Sequence, residues 1–432
     1  MITSLKINKL FGRFYYDFRI ENDGVTILTG PNGYGKSTIL QIIDAISNKK
    51  ISFFSSLEFH SIECSFGAIN KVIIEKHCDN ILFNGFKFPK EFLSKIDYPR
   101  RRYPYIRRVN SNEFFDAKTG RIISYDEVQH MSLIDNDISE LIEIYSNNEI
   151  IKNELLNTKE ILSDMSKWSG NTRLISDQRL YKRSYNSNRD DEDISEAVSE
   201  LPEELKKIIN NVSSDYSTQA NKLDSTYPSR LLKSTTKDEI DESEYKKQLT
   251  EAQNKFEKLQ KYTLAELPLL EEGSFDSKYA TALKIYFDDF FEKYSVFEDL
   301  IIKLDLFTSI INGRFKFKQI EISREKGFIV KDQLINGRTL TINKLSSGEK
   351  QEILLFFDLI FNTNNNLLLL IDEPELSLHV SWQQQFLDDL IKVTKINRLQ
   401  VIIATHSPQI IGVHRDIQID LGELYNEQQF SL

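Results

Sequence analysis

Polar and apolar positions change period several times along the chain, and each change predicts a change of element. Residues 4–10 (SLKINKL), 13–20 (RFYYDFRI) and 25–30 (VTILTG) alternate or are uniformly apolar, as strands do, with Asn22, Asp23 and Gly24 as turn residues. After Gly35 the spacing becomes helical through 37–47 (STILQIIDAIS), and strand-like pieces return at 61–66, 71–76 and 81–88. Residues 133–165 regain helical spacing, and the stretch 171–180 (NTRLISDQRL) carries a short strand-like piece ending at Gln178. The polar run 186–193 (NSNRDDED) reads as a flexible link. From Leu201 to Phe307 the pattern is nearly all helical, and 237–262 suits either a short coiled-coil hairpin or an exposed helix. Residues 315–332 and 339–345 return to β, and the end of the chain has a β-α-β rhythm: 367–372, a helix through 381–395, then 399–404. Those last strands are apolar throughout, the mark of a parallel sheet covered on both faces.

The pattern therefore predicts an α/β core split between the two chain ends, 1–185 and 308–432, with a helical insertion at 186–307. At 432 residues the chain is long enough for about three domains. A net charge of −10 excludes a general basic coat for nucleic acid, so any such contact needs a local patch. Two cysteines, Cys64 and Cys78, make no metal pattern and suit a reducing compartment. The first residues lack the apolar core of a signal peptide, and no apolar run is long enough for a bilayer. The expectation is a cytoplasmic protein without a membrane partner.

Three short stretches carry chemistry. Residues 30–38 (GPNGYGKST) fit the spacing GxxxxGK[ST] between an apolar strand and a helix. Asn32, Gly33 and Gly35 would let backbone N–H groups wrap phosphate oxygens, Lys36 would reach the outer phosphates, Ser37 would bind Mg2+ and Thr38 the inner phosphate. Residues 367–375 (LLLLIDEPE) deliver Asp372 and Glu373 to the C-terminal edge of a buried strand, where open α/β sheets bind ligands. Asp372 suits the magnesium shell and Glu373 a general base for water. Residues 404–408 (ATHSP) put His406 at the end of the next strand, beside the same crevice. A fourth stretch, 344–356 (KLSSGEKQEILLF), predicts a helix capped by Ser346, with Glu349 returning the bond. Its open N-terminus is a second place for an anion.

Taken in order, GPNGYGKST, LSSGEKQ, LLLLIDEPE and ATHSP resemble the nucleotide-binding domain of ABC-type ATPases, nearest to the SMC, RecF and OLD-like branch. The resemblance implies ATP and Mg2+ as ligands and a head-to-tail dimer, in which Ser346 and Gly348 of one copy touch the γ-phosphate held by the other. It also implies that Gln178, in LISDQRL, reaches the magnesium. His379 departs from the aspartate usual in transporters and SMC proteins and is nearer to OLD-like ATPases.

Neither the long coiled coils of SMC proteins nor the compact spacing of transporters is present, and the expectation is an ATPase without a nuclease of its own. The stretches KLFGRFYYDF, LDSTYPSRLL and IDEPELSLHVSWQQQFLDDL are similar to bacterial anti-phage ATPases such as those of PARIS-type systems. That likeness implies a scaffold which holds a separately encoded nuclease effector and releases it on meeting a phage-encoded trigger protein. The helical insertion is the expected docking surface, because the nucleotide core leaves no other large distinctive one. The competing expectation is a RecF-like or SMC-like DNA-repair ATPase. Residues 99–109 (PRRRYPYIRRV), with arginines from Arg100 to Arg108 interleaved with Tyr103 and Tyr105, suit first a strand edge guarded by charge, and after that nucleic acid or an acidic protein.

Overall fold

The computed structural model describes residues 1–21, 24–48, 50–67, 70–89, 106–108, 113–116, 121–124, 172–175, 190–233, 239–264, 273–334, 337–363, 367–376, 378 and 380–430. The chain forms two compact units, one of residues 1–187 with 363–432 and the other of residues 188–362. Gln178, His379 and Arg100 to Arg102 lie outside the described residues, as does the predicted helical stretch 133–165.

The first unit holds strands β1 (Ile2–Leu10), β2 (Phe14–Arg19), β3 (Gly24–Thr29), β4 (Ser61–Phe66), β5 (Asn70–Lys76), β6 (Asn80–Phe83) and β7 (Phe86–Pro89). Then come β8 (Ile106–Arg108), β9 (Glu113–Asp116), β10 (Arg121–Ser124) and β11 (Thr172–Ile175). Its helices of ten residues or more begin with α1 (Lys36–Ser47). The second unit contributes α2 (Asp190–Lys233), α3 (Glu242–Lys261), α4 (Ala280–Arg314), β12 (Lys318–Ser323), β13 (Gly327–Asp332), β14 (Arg338–Leu340) and α5 (Ser347–Phe361). The chain returns to the first unit with β15 (Leu368–Asp372), α6 (Val380–Asn397), β16 (Gln400–Ala404), β17 (Gln418–Asp420) and α7 (Leu421–Phe430).

The functional sheet is five-stranded, in the order β11-β15-β16-β3-β17, and every pairing in it is parallel. β3, β15 and β16 are buried along almost their whole length, as uniformly apolar strands covered on both faces must be. Ile39, Leu40, Ile42, Ile43 and Ile46 turn one face of α1 into the core of this unit, and α1 packs against β11, β15 and β16. A six-stranded antiparallel sheet, β2-β1-β4-β5-β6-β7, shares that core. Its strands alternate between buried and open positions, as one-faced sheets do.

Gln400 links the two sheets. Its side chain accepts from the Ile2 N–H (2.9 Å) and donates to the carbonyls of Ile2 and Glu21 (2.6 Å each), with the amide fully buried at the first residue of β16.

In the second unit, α3 packs on α4 through Tyr245, Leu249, Ala252, Phe256 and Leu259. Their alternating spacing of four and three is a short heptad seam, so the segment is a packed helix rather than an exposed one. Residues 190–193, expected as part of a link, open α2 instead. Residues 342–344 form a 3-10 turn rather than continuing β14, with the Lys344 N–H bonded to the Thr341 carbonyl. At Gly327 (φ +65°) an added Cβ would stand 1.8 Å from the Pro202 carbonyl oxygen of α2, so β13 and α2 meet there only without a side chain.

Replacing Gln400 by Leu strands one buried N–H and two carbonyls, and is expected to cost about 3 kcal/mol in chemical denaturation. A loss below about 1 kcal/mol would show that the tie between the sheets is dispensable.

Candidate functional site

The parallel arrangement brings the C-terminal ends of β3, β15 and β16 side by side, and the predicted site residues of the first unit follow those ends. The loop after β3 uses Gly30, Gly33 and Gly35 at φ values of +137°, +83° and +83°, which a residue with a Cβ adopts only with strain. Gly35 caps α1, with its carbonyl accepting from the Ile39 N–H at 2.8 Å. The loop is braced from β2 by Tyr16, whose hydroxyl donates to the Tyr34 carbonyl at 2.7 Å. Burial, with Tyr34 beside it, holds the Tyr16 phenol well above the usual tyrosine range, so it remains a donor. Phe14 packs on the Tyr34 ring (5.1 Å between centroids) and on Tyr425 of α7 (5.3 Å), which stiffens the same wall. Asn32 and Gly33 are exposed at the lip, and Ser37 and Thr38 are half-buried at the start of α1.

Lys36 is only 4% exposed. Its ammonium has three donors and three acceptors around it: the carbonyls of Gly30 (2.9 Å) and Pro31 (3.3 Å) and the His406 Nδ1 (3.3 Å). Since Nδ1 accepts, Nε2 carries the proton and donates to Glu373 Oε1 at 3.2 Å. A relay therefore runs Lys36–His406–Glu373 across the ends of three strands. Beside it the Ser37 hydroxyl donates to Asp372 Oδ1 at 2.9 Å. Burial draws the Lys36 ammonium below the usual lysine range, while Glu373, Asp372 and Glu375 push it back up. Burial, then the Lys36 charge, likewise lower His406, against the opposing pull of Glu375 and Asp372. The imidazole is accordingly neutral at neutral pH.

Glu373 adopts φ +47°, an unusual state for a residue with a side chain, and its N–H is held by the Ala404 carbonyl at 2.8 Å. That bond extends the β15–β16 ladder one step past Asp372. Glu375 Oε1 accepts from the Thr405 hydroxyl (2.7 Å), the His406 N–H (2.9 Å) and the Ser407 N–H (3.1 Å). Gln383 of α6 donates to the Glu375 and Leu378 carbonyls (3.1 and 3.2 Å) and accepts from the Ser407 hydroxyl (3.1 Å).

The second unit carries its own predicted feature. Ser346 caps α5, its oxygen accepting from the Glu349 N–H (3.3 Å), while Glu349 Oε2 accepts from the Ser346 N–H (2.8 Å) and hydroxyl (3.0 Å). Lys318 of β12 closes on the same carboxylate at 2.7 and 3.0 Å. Ser346 is exposed and Gly348 half-buried.

A family model described as an AAA ATPase domain matches residues 1–411. The chain belongs to the AAA ATPase domain family. A 125-residue stretch of this AAA ATPase is 34% identical to the Retron Ec83 probable ATPase of Escherichia coli, and covers 26% of this chain and 22% of that protein. Among solved structures, the Smc head domain of Pyrococcus furiosus, bound to the C-terminal domain of ScpA, aligns over 95% of this chain and 90% of its own, at 13% identity and a TM-score of 0.34. The SMC head domain of Thermotoga maritima aligns over the same shares at 11% identity and a TM-score of 0.34.

Lys36, Ser37, Asp372, Glu373 and His406 of the AAA ATPase thus converge, and Ser346 and Gly348 stand together at one helix start. Sequence reasoning missed Tyr16, Glu375 and Gln383. Glu375 had a signal, as the second glutamate of DEPE, whereas nothing singles out Gln383 among three consecutive glutamines.

His406 is expected to titrate below the ordinary histidine value of about 6.5. The unfolded chain then binds a proton that the folded one refuses, so stability falls as pH drops through that value toward the lower folded one. Carbon-labelled histidine NMR, with His406→Gln to identify the resonance, checks the shift. Lys36→Ala should raise the midpoint, and an unmoved midpoint would contradict the pairing.

Proposed function

We propose that this AAA ATPase binds Mg·ATP at the ends of β3, β15 and β16 and hydrolyses it between two copies of the chain. The relay Lys36–His406–Glu373 beside the Ser37–Asp372 pair supports the reading most directly. A hydroxyl and a carboxylate are hard oxygen ligands that fit Mg2+. When bound, the ion would offset the negative charge of the phosphates. Gln178 is assigned as a further ligand from the family resemblance alone.

Lys36 would exchange the carbonyls of Gly30 and Pro31 for outer phosphate oxygens, and the N–H groups of the glycine loop and Thr38 would surround the inner ones. Glu373 would accept the proton of the attacking water, and His406 would orient that carboxylate and respond to the γ-phosphate. Ser346 and Gly348, at an accessible helix start, would reach the γ-phosphate of the partner copy. Each nucleotide would then join two chains, and hydrolysis would release them.

The stretch shared with a retron ATPase and the motif likeness to anti-phage ATPases favour a role in anti-phage defence, with the ATPase subunit of the PARIS system as the proposed counterpart. In that role the chain would hold a nuclease effector and let it go when a phage protein is sensed.

Glu373→Gln is expected to lower kcat about 100-fold or more while ATP stays bound and dimers accumulate in analytical ultracentrifugation. Normal hydrolysis by this variant would remove Glu373 as the base. Lys36→Ala and Gly348→Asp should each be inactive alone. Mixed together they should regain activity, because one of the two shared sites then has an intact loop from one chain and an intact helix start from the other. A mixture as silent as its components would show that the two halves of the site do not come from different chains.

A further inference from the structure

His406 is placed by a residue that the relay itself does not include. The turn 405–407 leaves β16 with few constraints of its own. The Thr405 N–H bonds to the Leu28 carbonyl at 3.2 Å, and the Ser407 N–H bonds to the Thr405 hydroxyl at 2.9 Å. What fixes the turn is one oxygen of Glu375, which gathers the Thr405 hydroxyl and the backbone N–H groups of His406 and Ser407 within 2.7 to 3.1 Å. A single carboxylate oxygen with three donors is a strong anchor, since bonds to an ionised acceptor are about twice as strong as neutral ones.

Glu375 is itself locked. It sits in the 3-10 turn Pro374–Leu376 that follows β15, and its carbonyl accepts from Gln383 of α6. Gln383 in turn accepts from the Ser407 hydroxyl, so the turns after β15 and β16 are tied twice. We propose that Glu375 is a positioning residue for the hydrolytic step, holding the 405–407 turn so that His406 stands between Lys36 and Glu373. The inference rests on the reading of this site as an ATP-hydrolysing one.

The charge of Glu375 adds a second effect. It favours the protonated imidazole of His406, against burial and Lys36, which favour the neutral one. The other groups facing that imidazole are Glu373, at 3.2 Å from Nε2, and Asp372. Removing the Glu375 charge should therefore move the His406 titration to lower pH. Glutamine keeps an oxygen acceptor for the three donors, whereas alanine removes it.

The test uses the full chain with Mg·ATP. Glu375→Ala is expected to lower kcat about tenfold or more with ATP affinity within about threefold of wild type, and Glu375→Gln to recover most of that loss. In Glu375→Gln, the His406 resonance and the pH–rate limb that His406→Gln abolishes should both move to lower pH. The proposal is overturned if Glu375→Ala turns over within about twofold of wild type, if ATP binding falls in parallel with turnover, or if the His406 midpoint stays in place. Should the alanine variant fail to fold, the glutamine variant decides by its titration. A wild type that binds ATP without hydrolysing it would defeat the hydrolytic reading of the site. The histidine titration in Glu375→Gln would still decide whether Glu375 governs His406.

Discussion

A lysine charge nearly removed from water organises this site. At 4% exposure the Lys36 ammonium loses most of its hydration and must find acceptors for all three protons, which it does in two loop carbonyls and one imidazole nitrogen. The carbonyls come from the same loop, so the loop is curled around its own cation. The imidazole comes from 370 residues away, so the cation also fixes the tautomer at the end of β16 and, through it, the partner of Glu373. A triphosphate is a better match for that ammonium than two neutral carbonyls, because both partners are then charged. Occupancy by a phosphate would thus release Gly30, Pro31 and His406 together, and the state of the loop would reach Glu373 through the imidazole.

The strain at Glu373 belongs to the same logic. A left-handed backbone in a residue with a Cβ costs on the order of 1–3 kcal/mol and persists only where the surroundings impose it. Here the surroundings are the Ala404 carbonyl on one side and the turn Pro374–Leu376 on the other. The result turns the side chain of Glu373 toward His406 immediately after Asp372 points at Ser37. Two adjacent acids thereby face different partners, one hydroxyl and one imidazole, as their separate proposed roles with metal and water require.

How much of this was legible depended on whether the information was local. The glycine loop could be read because its spacing encodes the backbone itself, and β15 and β16 because uniform apolarity leaves them only a doubly covered place. The cap of α5 was readable for the same reason, since Ser346 and Glu349 are three residues apart. Glu375, Gln400 and Tyr16 were not, because each acts on a backbone group 18 or more residues away and nothing in a residue's own neighbourhood names a distant N–H or carbonyl. The alternation of β2 does mark Tyr16 as inward, yet it says nothing of which carbonyl its hydroxyl will find. Residues 190–193 show the opposite failure. Four consecutive acids are equally at home in solvent and in the first turn of a helix, and only the 44-residue helix behind them decides the matter.

The capped start of α5 sets a condition on any phosphate that would use it. Ser346 already has its oxygen on the Glu349 N–H and its proton on the Glu349 carboxylate, and Lys318 neutralises that carboxylate from β12. Without Lys318 the box would confront an incoming phosphate with a bare negative charge. With it the charges at the helix mouth cancel, and the dipole and the N–H groups of the first turn are left to attract the anion. The helix does not need that phosphate to hold together. Arg314 and Glu352, each about 1% exposed in side chain, pair inside the second unit, and the Arg314 guanidinium lies 4.4 Å over the Phe356 ring. In the proposed dimer, a ligand at such a mouth would spend its binding free energy on the contact between two copies and not on folding the helix that receives it.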